Sequence, residues 1–179
     1  MEILSSVTHV GEWILTFSLV IVTWRLGDWR NWKEYYPTIL FMICLSFFSS
    51  ILMYDHPLWL FHGTLFLPNH TITNFLITFV QFPMLVLIYL SNYPQKIRGQ
   101  IGYFALWVVI FSSIEFFFYL GGKMSYFNGW NYGYSVLFNC ITFPILRLHH
   151  SKPLSAWLLS IPIAAIILLY FDFSFVNLK

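Results

Sequence analysis

Residues 101–120 read IGYFALWVVIFSSIEFFFYL, twenty positions with one carboxylate, Glu115, and no lysine, arginine or histidine. A helix rising about 1.5 Å per residue carries such a block through roughly 30 Å, the thickness of the hydrocarbon core of a bilayer. The chain repeats this device on either side. Blocks at 3–24, 36–54 and 71–91 precede it, and blocks at 132–148 and 153–171 follow it. The reading is an all-α polytopic transmembrane helical bundle of six spans, one integral membrane domain over residues 1–179. The block at 132–148 is the shortest. Five spans result if it is re-entrant, a path open only where protein or trapped water satisfies its backbone.

The basic residues alternate with the blocks. Arg25, Arg30 and Lys33 follow the first, Lys96 and Arg98 follow the third, and Arg147 and Lys152 mark the junction of the fifth and sixth, while the opposite side receives Lys123 and Lys179. Short cytoplasmic loops carry the excess of lysine and arginine, so both termini are expected outside and the three basic loops inside. The first block has no basic stretch before it and reads as a retained helix, not a cleaved signal peptide. Composition agrees: 59% of residues are hydrophobic, 22% aromatic and 9% charged, against roughly 25% charged in an average soluble domain. The expected partner is the lipid bilayer and the expected location a cell membrane. A net charge of +2, scattered along the chain, lacks the basic stripe that nucleic acid requires.

Inside the blocks the ionisable residues are few. A carboxylate in hydrocarbon costs at least about 2.5–3.5 kcal/mol, so an intramembrane acid is a functional-site hypothesis by default. Glu12 and Glu115 are the two. Ser5, His9, Glu12 and Thr16 recur at helical spacing along one face, as do Ser112, Glu115 and Tyr119. Two further stripes run through Thr71, Asn74, Thr78 and Gln81, and through Tyr132, Ser135, Asn139 and Thr142. Counted in from the ends of their blocks, both acids lie about 10 Å below the outer surface. The expectation is a polar interior in the outer half of the bundle, opening outward, with Trp130, Asn131 and Tyr132 at its mouth. A neutral Glu115 could donate a hydrogen bond or exchange a proton with a solute. Taken singly, the Ser, Thr, Asn and Gln positions read more readily as hydrogen bonds between helices. The last block has no polar stripe and is expected to face lipid.

Several chemistries lack their motifs. No lysine lies within a block, and the chain holds no CxxCH, GxSxG or Walker A sequence. His9 and Glu12, with Glu115 and one of His56, His62 or His70, are residue types that could in principle bind a divalent metal. HExxH and paired ExxH are absent, so no metal ligand and no cofactor is assigned. Cys44 and Cys140 sit in separate blocks and read as small buried apolar residues. Pro83, Pro144 and Pro162 lie inside blocks, where they are expected to bend helices.

Gln81-Phe82-Pro83 leading to Ile88-Tyr89, Ser113-Ile114-Glu115-Phe116, and the run from Tyr126 through Trp130-Asn131-Tyr132 to Ser135 resemble an uncharacterised family of small multi-pass membrane proteins of endospore-forming Gram-positive bacteria. The resemblance covers the middle and C-terminal two-thirds of the chain. It implies a bacterial cytoplasmic membrane, draws attention to Glu115, and transfers no mechanism.

The function expected from these residues is binding, conducting or sensing of a small polar or ionic solute. Glu115 and Glu12 with His9 form its centre, Asn74, Gln81, Ser112, Tyr119 and Asn139 orient the solute, and Trp130 and Asn131 stand at the mouth. The alternatives are an intramembrane enzyme acting on a lipid or isoprenoid by acid/base or metal-assisted chemistry, and a structural subunit whose stripes meet a membrane-protein partner or a second copy.

Overall fold

A computed structural model describes residues 2–64 and 66–173, with side chains from Val10 onward. Helices α1 (Glu2–Leu26) and α2 (Trp32–Leu52) are followed by a broken rod of α3 (His70–Leu76), a π-helical segment Ile77–Gln81, and α4 (Phe82–Ser91). Helices α5 (Ile97–Leu120), α6 (Tyr132–Ser151) and α7 (Pro153–Tyr170) complete the bundle. Among the described residues four stretches are long and apolar enough to cross a membrane: Trp29–Leu52, His70–Ser91, Ile97–Leu120 and Pro153–Tyr170. Helix α6 is an unbroken 20-residue rod. Its apolar character is diluted by Asn139, Thr142, Arg147, His149 and His150.

Helix α4 is the hub. It packs on α1 and α2 and touches α6, which in turn packs on α2, α5 and α7. The main core gathers around Tyr89, which is 1% exposed. Its ring lies among Tyr93, Tyr103, Trp107 and Phe143 at centroid distances of 5.1–5.7 Å, and its hydroxyl donates to the Phe143 carbonyl at 3.1 Å. Large apolar side chains line the outside: Ile14, Phe17 and Ile21 on α1, Ile51 on α2, Val109 on α5, and Leu158, Ile161, Ile166 and Leu169 on α7 are all more than half exposed. An apolar shell this extensive is what a hydrocarbon solvent selects, whereas water would not.

Two contacts bring the basic loops to one end. Asn92 Nδ2 donates to the Leu26 carbonyl at 3.0 Å, and the Arg147 guanidinium lies 4.7 Å over the Tyr93 ring. The connection between α1 and α2 therefore sits beside the one between α4 and α5 and the last turn of α6. Gly27 makes the first of these turns. A Cβ there would stand 2.5 Å from the Thr23 carbonyl oxygen and 3.1 Å from the Thr23 methyl, so the backbone itself must shift to admit it. Gly27→Ala is expected to cost about 1–3 kcal/mol, read as a lower unfolding temperature of the purified chain.

The opposite end departs from the all-α expectation. The loops after α2 and α5 form short strands, β1 (Trp59–Phe61) and β2 (Met124–Tyr126), paired antiparallel with Trp59 opposite Tyr126 and Phe61 opposite Met124. His62 N donating to the Lys123 carbonyl at 2.8 Å and Phe127 N donating to the Leu58 carbonyl at 2.9 Å extend the pairing. The pairing has a physical reason. These loops are apolar, with Leu58 fully buried against Trp130 and Phe171, and buried backbone N–H and C=O groups must be satisfied by one another.

The π-helical segment decides where Gln81 points. Pro83 has no N–H, and its ring crowds the carbonyl four residues back. The preceding turn widens, and Phe82 N donates to the Ile77 carbonyl five residues earlier. One extra residue in the turn rotates the downstream helix by about a quarter of a revolution. The stripe read from the sequence as one face is consequently shared between two neighbours. Asn74 Nδ2 donates to Ser50 Oγ at 2.8 Å, and Thr78 Oγ1 lies 2.7 Å from Ser46 Oγ, both on α2. Gln81 turns instead to α1.

Candidate functional site

A cavity of about 420 Å³ lies between α1, α4, α5 and α6, with Glu12 and Glu115 both on its wall. Its size falls within the range of about 300–1,000 Å³ typical of ligand sites. Strand geometry closes one end. Successive side chains on a strand point to opposite faces, and Trp59, Phe61 and Met124 all line the cavity. Tyr126 shares the face of Met124, while Ser125, between them, turns away to His62 Nε2 at 2.7 Å.

Glu12 is 4% exposed. Gln81 Nε2 donates to its Oε2 at 3.0 Å and to Thr16 Oγ1 at 2.9 Å, and the Thr16 hydroxyl donates to the Glu12 carbonyl at 2.7 Å. One amide thus uses both protons to tie two turns of α1 to the end of the π-helical segment. Glu115, near the end of α5, accepts a hydrogen bond from the Tyr126 hydroxyl at 2.7 Å. Ser135 of α6 stands beside the same carboxyl, and its Oγ accepts the Trp130 indole N–H at 2.8 Å. Burial first, then the hydrogen bond to Glu115 and the charge of that carboxylate, hold the Tyr126 phenol well above its ordinary pKa. It therefore stays protonated and donating at neutral pH. Each carboxyl is thereby oriented by a neutral donor.

The rest of the wall is mostly apolar, with Ser18, Asn139 and Thr142 as its other polar side chains. Leu15, Leu19 and Val22 of α1, Leu85 and Ile88 of α4, Trp107, Phe111 and Ile114 of α5, and Phe143 of α6 belong to the apolar part. The Trp107 indole N–H, buried without a hydrogen-bond partner, is close to the Tyr103 hydroxyl. The opening also differs from the expectation. Met124 and Trp130, at the strand-capped end, are buried, whereas the exposed lining residues are Ser18 and Val22 of α1, Ile110 of α5 and Phe138 of α6. The exposed part of the wall is thus on the flanks of the helices, and the strand pair covers the end that the sequence left uncovered.

The other candidate residues divide. Trp130 and Asn139 line the cavity with Gln81. Ser112 is buried on α5, where its Oγ accepts from Asn139 Nδ2 at 3.4 Å and its carbonyl accepts the Tyr132 hydroxyl at 3.0 Å. It joins α5 to α6 and is not on the cavity wall. Asn74 serves α2. Tyr119 is exposed and stacks on Tyr126 with centroids 5.0 Å apart, supporting the donor to Glu115 from outside. Asn131 is the N-cap of α6, its Oδ1 accepting from Gly133 N at 2.9 Å and Tyr134 N at 3.3 Å. It shapes the helix start and does not line the cavity. The His9 side chain lies outside the described residues. His62 is bound to Ser125, and His70 Nδ1 accepts from Phe61 N at 3.0 Å. Among the described residues no three metal-ligating side chains come together. Tyr126, named in the sequence only as the start of the run through Trp130-Asn131-Tyr132 to Ser135, is the contact that helical periodicity misses, because a strand delivers it. The chain matches no protein-family model, and neither a curated protein nor a solved structure is significantly similar to it.

Proposed function

We propose that this chain is a six-span membrane protein, with both termini outside and the basic loops in the cytoplasm, that binds or senses a ligand through Glu12 and Glu115. The gathering of Arg25, Lys96, Arg98 and Arg147 toward one end supports that orientation, and the sequence resemblance supports a bacterial cytoplasmic membrane. The observation that carries the reading is that two acids from distant helices line one cavity. Two desolvated carboxyls held by neutral donors suit a ligand group rich in N–H or O–H, or a cation. Binding is favoured over conduction because Val22, Leu85, Ile88 and Phe143 continue the cavity, and the other polar side chains on its wall, Ser18, Asn139 and Thr142, are too few to replace an ion's hydration shell along a path.

The reading is tested by unfolding the purified chain in nanodiscs with ammonium, small alkylamines and alkyl alcohols. A ligand at 100 times its Kd raises stability by about 2.7 kcal/mol. The expected result is a rise in unfolding temperature for at least one donor-bearing compound in the wild type, lost in Glu115→Gln and Glu12→Gln, with both variants folded. Equal rises in all three proteins would remove the carboxyls from the function.

The same arrangement favours a second reading, an intramembrane acid/base enzyme acting on a lipid or isoprenoid, because the two acids share a cavity that opens sideways. Mass-spectrometric turnover of bilayer lipid by the wild type and not by Glu115→Gln would establish it.

A further inference from the structure

The cavity is graded along its length. Glu12, Gln81, Glu115 and Ser135 are gathered toward the strand-capped end, Ser18, Asn139 and Thr142 are the uncharged polar side chains along the rest of the wall, and Val22, Ile88, Trp107 and Phe143 lie at the other end. Ten residues of α1 separate Glu12 from Val22, a slot of about 15 Å at 1.5 Å per residue. A free ion or polar solute would leave most of that wall facing empty space, and a plain hydrocarbon would leave both carboxyls without an added partner. Of the four exposed lining residues, Ser18, Val22 and Ile110 sit along one flank, on the two helices that border the slot there, and Phe138 lies on α6. Helix α1 packs mainly on α4 and the π-helical segment. It meets α5 at Gly11, where a Cβ would stand 3.2 Å from the Phe118 ring. The opening thus lies between α1 and α5, facing the same surroundings as Ile14, Phe17 and Val109.

Resting on the carboxyl site proposed above, we infer that the occupant is a single-chain amphiphile taken laterally from the bilayer between α1 and α5. Its donor-bearing head, a hydroxyl or an ammonium, lodges between Glu12 and Glu115. Its tail runs along α1 and α5 toward Val22 and Trp107. A two-chain lipid exceeds a slot of this volume, and a head carrying its own carboxylate would meet two acids.

The probe is a 12-carbon primary alcohol bearing a diazirine near its tail end, added to the full chain in nanodiscs, irradiated, and mapped residue by residue by tandem mass spectrometry. The expected result is labelling at the buried lining residues Ile88, Trp107 or Phe143, competed by dodecanol but not by butanol. Labelling should fall about tenfold in Glu115→Gln, and in the portal variant Ser18→Trp with Ile110→Trp. Labels confined to Ile14, Phe17 and Val109 would mean ordinary lipid contact and overturn the inference. Competition by butanol equal to that by dodecanol would overturn the amphiphile while leaving the carboxyl site standing. Interior labelling unchanged in both Glu115→Gln and Glu12→Gln would overturn the placement of the head, and the carboxyl reading with it. Should Glu115→Gln fail to fold, Glu12→Gln and the portal variant give the same decision.

Discussion

Gln81→Leu is expected to destabilise the chain by about 2–3 kcal/mol, among the largest losses available to a single polar substitution in it. The amide donates to both Glu12 Oε2 and Thr16 Oγ1, so leucine deprives a carboxyl that is 4% exposed of its donor. Removing one partner of a buried pair costs the desolvation of the other, whereas replacing both by apolar groups is close to neutral. The double variant Glu12→Leu with Gln81→Leu is therefore expected to recover to within about 1 kcal/mol of the wild type. Unfolding of the four proteins in one detergent gives the coupling directly. A double variant as unstable as the sum of the singles would mean that Gln81 and Glu12 do not act as a pair.

Tyr89→Ala is expected to be more damaging, about 3–5 kcal/mol. It removes the largest fully buried side chain among the described residues, and with it the ring against which Tyr93, Tyr103, Trp107 and Phe143 pack. Tyr89→Phe keeps the volume and gives up the hydrogen bond to the Phe143 carbonyl, so its cost should be about 1 kcal/mol. Both are read from denaturation midpoints. A loss for the phenylalanine variant matching that of the alanine variant would show that the hydroxyl, and not the packing, holds α4 against α6.

The helices were legible because each is one apolar block between turns. The block at 101–120 differs from α5 (Ile97–Leu120) only by an added first turn, and the block at 153–171 ends one residue past α7 (Pro153–Tyr170). What escaped was whatever breaks the 3.6-residue period. Pro83 was visible, yet periodicity alone does not say whether a proline bends a helix or widens it, and here the widened turn sends Gln81 to α1 while Asn74 and Thr78 go to α2. The strands escaped because Trp-Leu-Phe and Met-Ser-Tyr are too short for an alternating pattern to register. Asn131 escaped because an asparagine before a helical block is first a capping residue, and its place beside Trp130 made it look like part of a mouth. Glu12 and Glu115 were found by cost alone, since few other residues in the blocks are as expensive to desolvate.

The β1–β2 ladder sets an order of assembly. Trp59 is synthesised long before its partner Tyr126, so α3 and α4 are made while the first strand still has a bare edge. Only after α5 has emerged and the chain has reversed can the seam close, and the same Tyr126 then delivers its hydroxyl to Glu115. Chains halted before that point would carry an uncovered cavity end and an acid without its phenol.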